Sequence, residues 1–184
     1  MCLLVKYFKS MGKIIITITV FLMTIQLHAQ KLRKISTNID FHINTTLYDR
    51  TLSNNGTGFG LALQTIINTK AKFTPTIEIA SNVYGGTKQF FMTTDGKPIY
   101  GKSSVTTVFA GAMYNASSKF YFGGMIGAGF FNGEKYFAIK PFIGYQLLNK
   151  RIIAKIAWEN IFQRDDISNK SFGYLSFGAG IKLF

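Results

Sequence analysis

The sequence predicts an eight-stranded antiparallel up-and-down β-barrel that crosses a membrane and follows a cleaved signal peptide. Three observations predict it: eight segments alternate apolar and polar residues, the connections alternate between long and short, and glycine collects on the polar faces. The composition agrees, because 184 residues with 47% hydrophobic content and one cysteine exclude a disordered chain and a disulfide scaffold. The formal net charge of +13 does not choose between nucleic acid, a membrane surface and acidic ligands as partner.

Residues 1–29 have the pattern of a secretory signal peptide. Three lysines precede an apolar stretch over 14–27, and Ala29 supplies a small residue before the expected cleavage site. An uncleaved anchor helix is the alternative, but this stretch is shorter than the ~20 residues that a spanning helix needs. Met11 begins an equally good signal, so the sequence does not decide whether the signal peptide starts at Met1 or at Met11. Cleavage would leave 30–184 as one barrel domain with a charge of +10, because it removes the three lysines.

The first four predicted strands lie in the first part of the chain after the signal. The segment 35–47 is the clearest, since isoleucine, phenylalanine and threonine alternate with serine, asparagine, aspartate and histidine. In 59–68 phenylalanine and leucine oppose glycine, alanine and glutamine. In 73–83 isoleucine and valine oppose threonine, glutamate and asparagine. The fourth segment, 103–114, is blurred, and the pattern does not assign its faces.

The last four predicted strands bring the number to an even eight. In 120–130 phenylalanines oppose a tyrosine and glycines. The alternation in 136–147 holds on both sides of Pro141, which must lose a ladder hydrogen bond or mark a bulge in a closed barrel. Apolar residues oppose lysine and glutamate in 152–159, and serine, glycine and lysine in 175–183. These runs are close to the ~9–11 residues that cross a bilayer at a tilt.

The connections alternate in length, as they do in outer-membrane barrels with short periplasmic turns and longer external loops. Tight turns are expected at 69–72, 115–119 and 148–151. Long or polar loops are expected at 48–58, 84–102 and 163–171, and only 132–135 is short on that side. Both chain ends then lie on the side of the tight turns, which predicts periplasmic termini.

Small residues on the polar faces separate a membrane barrel from a soluble ligand-carrying barrel, which is apolar within. A narrow interior needs small residues, whereas a solvated surface has no reason to collect glycine. Seven glycines fall on the polar faces: Gly60, Gly123, Gly127, Gly129, Gly144, Gly178 and Gly180. The opposite faces are bulky and continuous, as a lipid-facing belt should be. We therefore expect the polar faces to line the interior.

The charges on the polar faces predict a neutral polar network inside the barrel. Three acids balance three bases, as a buried interior requires, because an unpaired buried charge is costly. Six charges on a solvated surface could also balance by chance. The expected interior network comprises Asp40, His42, Glu78, Lys140, Lys155, Glu159 and Lys182.

The side of the tight turns collects cations without acids. The expected periplasmic basic rim comprises Lys70, Lys72, Lys119, Lys150 and Arg151, with further cations at 31–34. Such a rim suits the anionic head groups of outer-membrane lipids or another acidic partner. Aromatic residues near the strand ends suit interfacial girdles rather than base stacking, so nucleic acid is not an expected partner.

The signal ending Leu27-His28-Ala29-Gln30, the eight alternating segments and the terminal segment 172–184 resemble one family of barrels. This is the small outer-membrane β-barrel domain family of Gram-negative bacteria, and within it the PorT-like group. The resemblance covers the whole chain after the signal, by pattern rather than by a specific motif. It implies an outer-membrane location and assembly by the barrel-assembly machinery, which reads a terminal aromatic residue. Phe184 matches that position, although it lies on the opposite face from Leu183. The resemblance implies no single activity.

No catalytic, cofactor or metal site is expected. Asp40 and His42 lie two residues apart on the first strand, so both point the same way. A site acting on lipid would have to face the lipid, whereas these residues face the interior. One histidine and no cysteine after signal cleavage make a poor metal site. The glycines of 123–129 are spaced by two and open no helix, so they line the barrel rather than bind phosphate.

We expect a non-enzymatic integral outer-membrane protein with an interior filled by side chains. Its role would be structural, adhesive or accessory to a surface or secretion system. Eight strands enclose a space that side chains just fill, so a general pore is not expected. The alternatives are a membrane-embedded lipid-modifying enzyme and a narrow small-solute channel.

Overall fold

The computed structural model describes residues 35–47, 56–69, 71–86, 89–92, 98–100, 103–131, 134–148, 151–164 and 170–183. The predicted signal peptide and the predicted assembly residue Phe184 lie outside the described residues. Within these ranges no helix is long and apolar enough to span a membrane.

The described part of the chain folds into ten β-strands. They are β1 (Ile35–Thr46), β2 (Thr57–Ile67), β3 (Phe73–Tyr84), β4 (Gln89–Met92), β5 (Pro98–Tyr100), β6 (Ser103–Asn115), β7 (Phe120–Phe131), β8 (Glu134–Leu147), β9 (Ile152–Arg164) and β10 (Lys170–Lys182). Eight of them form a closed barrel in the order β1-β10-β9-β8-β7-β6-β3-β2. All neighbouring pairs are antiparallel. The predicted eight-stranded antiparallel barrel is confirmed.

The first and last strands close the barrel. Their register runs from Asn38 opposite Lys182 to Thr46 opposite Tyr174. The start of β1 and the end of β10 lie together at one end of the barrel. This end also carries the tight connections after β2, β6 and β8, and we name it the turn end. The opposite end, which carries the connections after β1, β3, β7 and β9, is the loop end.

The outward face of the barrel is an apolar belt. Phe59 is 70% exposed, Phe73 is 64% exposed, and Phe41 and Ile126 are each 62% exposed. In water each such side chain would forgo the roughly 1.5–3 kcal/mol that burial contributes. Lipid hydrocarbon accepts them without this loss, so the belt is the surface of a membrane barrel.

The structure assigns the faces of β6, which its sequence pattern leaves open. Val105, Phe109 and Met113 point inward and are buried, whereas Val108 lies on the outside and is 39% exposed. Each face of this strand mixes polar and apolar residues, since Thr107 is buried on the inside and Thr106 is exposed on the outside. The alternation of polarity is therefore lost along β6.

Pro141 interrupts the hydrogen-bonded ladder without shifting it. The pairing of β8 with β9 skips from Ile139 opposite Asn160 to Phe142 opposite Ala157, and the register is the same on both sides. The proline lacks the N–H group that the ladder needs at this point. Of the two predicted outcomes, the lost hydrogen bond is therefore observed here, and the bulge is not.

Two features at the loop end differ from the sequence predictions. The connection over 84–102 carries the hairpin β4–β5, whereas its sequence predicted a loop. Strands β9 and β10 also extend further than the alternation indicated. Their register shifts between Lys170 and Phe172, and such a shift breaks the two-residue period by which strands are recognised.

Candidate functional site inside the barrel

Inward glycines make room for polar side chains in the middle of the barrel. A Cβ atom at Gly60 would collide with the side chains of His42 and Asn82, and one at Gly180 would collide with the carboxylate of Asp40. Any larger residue at these positions would therefore displace a neighbour. The expectation that glycines on the polar faces line a narrow interior is confirmed at these positions.

A central charge network forms at mid-height and consists of Asp40, Glu78, Lys140, Lys155 and Glu159. The Nζ atom of Lys140 binds Glu78 and lies 2.5 Å from Oε1 of Glu159. The Nζ atom of Lys155 binds Asp40 and lies 2.9 Å from Oε2 of Glu78. The residues come from β1, β3, β8 and β9, and each is at most 6% exposed. The network therefore joins strands on opposite walls of the barrel.

Each ammonium group of the central charge network bridges two carboxylates, and Glu78 contacts both ammonium groups. The Nζ atom of Lys140 also lies 5.7 Å from the centroid of the Phe109 ring. Buried charges are stable only when they are paired in this way, and removing one partner leaves the other uncompensated. The network thus holds the walls of the barrel in one arrangement.

His42 is tied to the central charge network through neutral side chains. Its Nε2 atom lies 2.7 Å from Oδ1 of Asn82, which also accepts a hydrogen bond of 2.8 Å from Nδ2 of Asn44. The Nδ2 atom of Asn82 donates to the hydroxyl of Tyr174 over 3.0 Å, and that hydroxyl donates to Glu159. Because Oδ1 of Asn82 can only accept, Nε2 of His42 carries the proton and donates. Asp40 instead contacts Lys155, so these two described residues are engaged by different partners.

Aromatic side chains fill the barrel above the network, towards the loop end. The Phe172 ring lies 5.4 Å from Tyr84, 5.7 Å from Tyr174 and 6.3 Å from Phe131, measured between centroids. All four side chains are at most 2% exposed. We name this cluster the aromatic plug. At this level the interior is packed rather than open.

The turn end of the barrel holds a polar cavity of about 380 Å³, the turn-end cavity. Ile66, Met113 and Ile153 supply its apolar walls. Its polar lining includes Ser36, Asn38, Asn68, Asn115, Gln146 and Lys182. Two of these residues are joined by a hydrogen bond of 3.1 Å from Asn68 to Ser36. The two ends of the interior therefore differ in packing.

Lys182 does not belong to the central charge network, contrary to the prediction. Its side chain lines the turn-end cavity, is partly exposed and forms no ion pair with any described residue. Lys182 lies opposite Asn38, whereas Asp40 pairs with Gly180, one inward position deeper in the barrel. The alternation placed Lys182 correctly on the inward face, but it does not report the height at which a side chain sits.

Three residues of the predicted basic rim lie at the turn end and are exposed: Lys72, Lys119 and Arg151. Lys70 and Lys150 lie outside the described residues. The carbonyl groups of the three rim residues accept hydrogen bonds from the backbone N–H groups of Asn115, Gln146 and Lys182, over 3.0, 2.8 and 2.9 Å. Each of these three rim residues is therefore hydrogen-bonded through its backbone to a residue that lines the turn-end cavity.

His42 is held inside the barrel by its neighbours. The side chain is 5% exposed, faces the interior and is engaged by Asn82. Within the described residues no group of three or more His, Cys, Asp or Glu side chains is arranged to hold a metal ion. The arrangement stabilises the interior, and the turn-end cavity lies outside it.

Sequence reasoning missed the neutral members of the interior. Asn44 and Asn82 already stood on the polar faces, but a search for charges does not select them. Tyr174 and Phe172 precede the predicted last strand, although counting back by twos from Ser176 would have placed them inside. A search for every inward polar or aromatic residue would have found all four.

Comparison with known proteins supports the fold. No family model and no curated protein matches the sequence. The chain is similar to the crystal structure of Ail, the attachment invasion locus protein of Yersinia pestis, in complex with the heparin analogue sucrose octasulfate. The TM-score is 0.56 at 15% identity, over 82% of this chain and 98% of that chain. It is also similar to Neisserial surface protein A (NspA), with a TM-score of 0.56 at 12% identity, over 81% of this chain and 97% of that chain.

A further structure of Ail from Yersinia pestis, in a phospholipid bilayer nanodisc, gives a TM-score of 0.54 at 15% identity, over 80% of this chain and 99% of that chain. The fold of this protein is therefore that of the small outer-membrane β-barrels.

Proposed function

We propose that the protein is an integral outer-membrane protein whose barrel is a rigid, non-enzymatic support for its loops. The observation that carries the proposal is a continuous apolar belt around an interior closed by the central charge network and the aromatic plug. An interior of this kind positions a surface rather than passing solutes, because side chains fill it at two levels. The barrel would assemble through the barrel-assembly machinery, with Phe184 as the terminal signal.

For the loops we propose an adhesive or accessory role at the cell surface. The support is an analogy of fold with Ail, whose name refers to attachment and invasion and which has been solved with a heparin analogue. The hairpin β4–β5 lengthens one loop beyond a simple connection, and such segments often carry binding functions.

Loop replacement tests this role. Cells that express the protein would be compared with cells in which residues 86–101 are replaced by a short Gly-Ser turn, on surfaces coated with heparin and on uncoated surfaces. We expect the replacement to abolish most of the adherence while the barrel still shows heat-modifiable migration. A Leu148→Gly variant at the turn end is the control and should adhere normally, because Leu148 is exposed and has a positive φ angle that glycine adopts readily. Adherence that does not depend on residues 86–101 would contradict the adhesive role.

We also propose that the turn end faces the periplasm, where the basic rim would contact anionic lipid head groups. Both Lys72 and Gly85 are exposed and lie at opposite ends of the barrel, so Lys72→Cys and Gly85→Cys form a matched pair. A membrane-impermeant maleimide added to intact cells should label Gly85→Cys alone. Labelling of Lys72→Cys from outside would show that the orientation is the opposite of the one proposed.

A further inference from the structure

The turn-end cavity has the size and lining of a small-molecule site. Its volume of about 380 Å³ falls within the ~300–1,000 Å³ of ordinary ligand pockets. A lining that combines apolar and polar side chains is usual in such pockets. Lys182 is the one charged residue among the described residues that line it.

The polar lining is rich in hydrogen-bond donors. The Oγ atom of Ser117 accepts hydrogen bonds from the backbone N–H groups of Lys119 and Phe120, over 3.2 and 2.9 Å, which leaves its hydroxyl hydrogen free to donate. The carboxamide of Gln146 and the ammonium group of Lys182 add further N–H donors on the same lining. The carboxamides on this lining also carry acceptor oxygens, so it is Lys182, the one charged residue among the described lining residues, that favours an anionic ligand.

Asn38 provides an independent indication of a ligand. It is 1% exposed and lines the cavity. Among the described residues, neither its Nδ2 nor its Oδ1 atom has a hydrogen-bond partner. Buried polar groups in proteins are nearly always satisfied, so this side chain is in place for a partner that enters the cavity. Asn38 lies opposite Lys182 in the barrel register, so the two residues that line the cavity are neighbours on adjacent strands.

The entrance of the cavity is positively charged. The carbonyls of Lys72, Lys119 and Arg151 bind the backbone of three cavity-lining residues, and the rim side chains are exposed around them. Cations around the mouth of a low-dielectric cleft raise the local concentration of anions. The rim and the cavity therefore select for the same sign of charge.

We propose that the turn-end cavity binds the phosphate group of a small phosphate ester, with Lys182 as the charged contact and Asn38 as an amide donor. Phosphate presents only acceptors at its oxygen atoms, which matches a lining of ammonium, amide and hydroxyl donors. The two sources of such an ester are a free solute, which carries a phosphate monoester, and the head group of an anionic lipid, which carries a phosphate diester.

Titration of the purified full-length protein in maltoside micelles, which carry no phosphate, tests the proposal. The probes are sn-glycerol 3-phosphate for the free source and a short-chain phosphatidylglycerol for the lipid source. The readout is the NMR shift of the side-chain amide signals of Asn38 and Gln146, with sodium chloride of equal ionic strength as the reference. We expect saturable shifts with at least one phosphate probe and none with chloride. A response to the lipid alone would identify the head group as the ligand.

Two variants separate the cavity from the rim. Lys182→Gln keeps a polar side chain, one atom shorter than lysine, and removes its charge, so affinity should fall roughly tenfold or more. Arg151→Gln is the matched control, because Arg151 lies on the rim but does not line the cavity, and its effect should be less than about threefold. Asn38→Leu, read out through Gln146, should also weaken binding. Unchanged affinity in Lys182→Gln and Asn38→Leu, or no shift with either probe, would overturn the proposal.

Discussion

The two halves of the barrel interior are built by the same strands with the same alternation of side chains, but one half is filled and the other holds a cavity. Towards the loop end, the central charge network and the aromatic plug pack the interior, and every charged side chain of the network contacts an opposite charge. At the turn end, the interior holds a cavity, a lysine outside the network and an asparagine without a partner among the described residues. Alternation decides which side chains point inward, whereas side-chain volume and pairing decide whether the interior is filled.

The largest difference in stability between the halves is expected when one lysine in each half is replaced by methionine. Lys140→Met removes the ammonium group that bridges Glu78 and Glu159, so it should lower the free energy of unfolding by about 3–5 kcal/mol. Lys182→Met removes a partly exposed lysine without an ion pair to the described residues, and should cost less than about 1 kcal/mol. Urea titrations followed by heat-modifiable migration measure both. Equal losses would show that the halves are energetically alike.

An intermediate effect is expected from overpacking the filled half. A Cβ atom at Gly60 would collide with His42 and Asn82 and disturb their hydrogen bond, so Gly60→Ala should destabilise the barrel by about 1–3 kcal/mol. Gly124→Ala is the control, because nothing lies within 4 Å of a Cβ atom there, and it should change stability by at most about 0.5 kcal/mol. Unfolding of Gly60→Ala at the same urea concentration as the wild type would contradict this prediction, because it would mean that the filled half accommodates an added methyl group.

The smallest effect is expected for Asn38→Leu in the turn-end half. This change gives up no hydrogen bond to a described residue, so the free energy of unfolding should stay within about 1 kcal/mol of the wild-type value. The same change at Asn82 removes hydrogen bonds to His42, Asn44 and Tyr174 and should cost about 1–3 kcal/mol. Comparison of the two variants in one urea series checks the prediction. A larger loss for Asn38→Leu than for Asn82→Leu would contradict it.

Much of the barrel could be predicted because strand geometry is local. Successive side chains of a strand point to opposite faces, so the polarity of 35–47 or 73–83 is enough to name the inward residues. The same reasoning failed at β6, where each face mixes polar and apolar residues, and near Lys170, where a register shift breaks the period. The hairpin β4–β5 was missed because its strands are only four and three residues long.

The interior site was predicted in part for the same reason. Asp40, Glu78, Lys140, Lys155 and Glu159 were recognised as inward charges and do meet in the structure. Lys182 was grouped with them on charge balance alone. Charge balance carries no information on position along the barrel axis, so it could not separate Lys182 from the network.

The number of barrel strands, their antiparallel succession and the face of nearly every inward residue follow from the sequence, because a two-residue period and short connections are local properties. Which of these residues contact each other depends on the folded barrel. Lys140 and Glu78 are 62 residues apart in the chain, and Lys155 and Asp40 are 115 apart. Their contacts, and the cavity that Lys182 lines instead, depend on the stagger of the strands around the closed barrel, which register and closure set together.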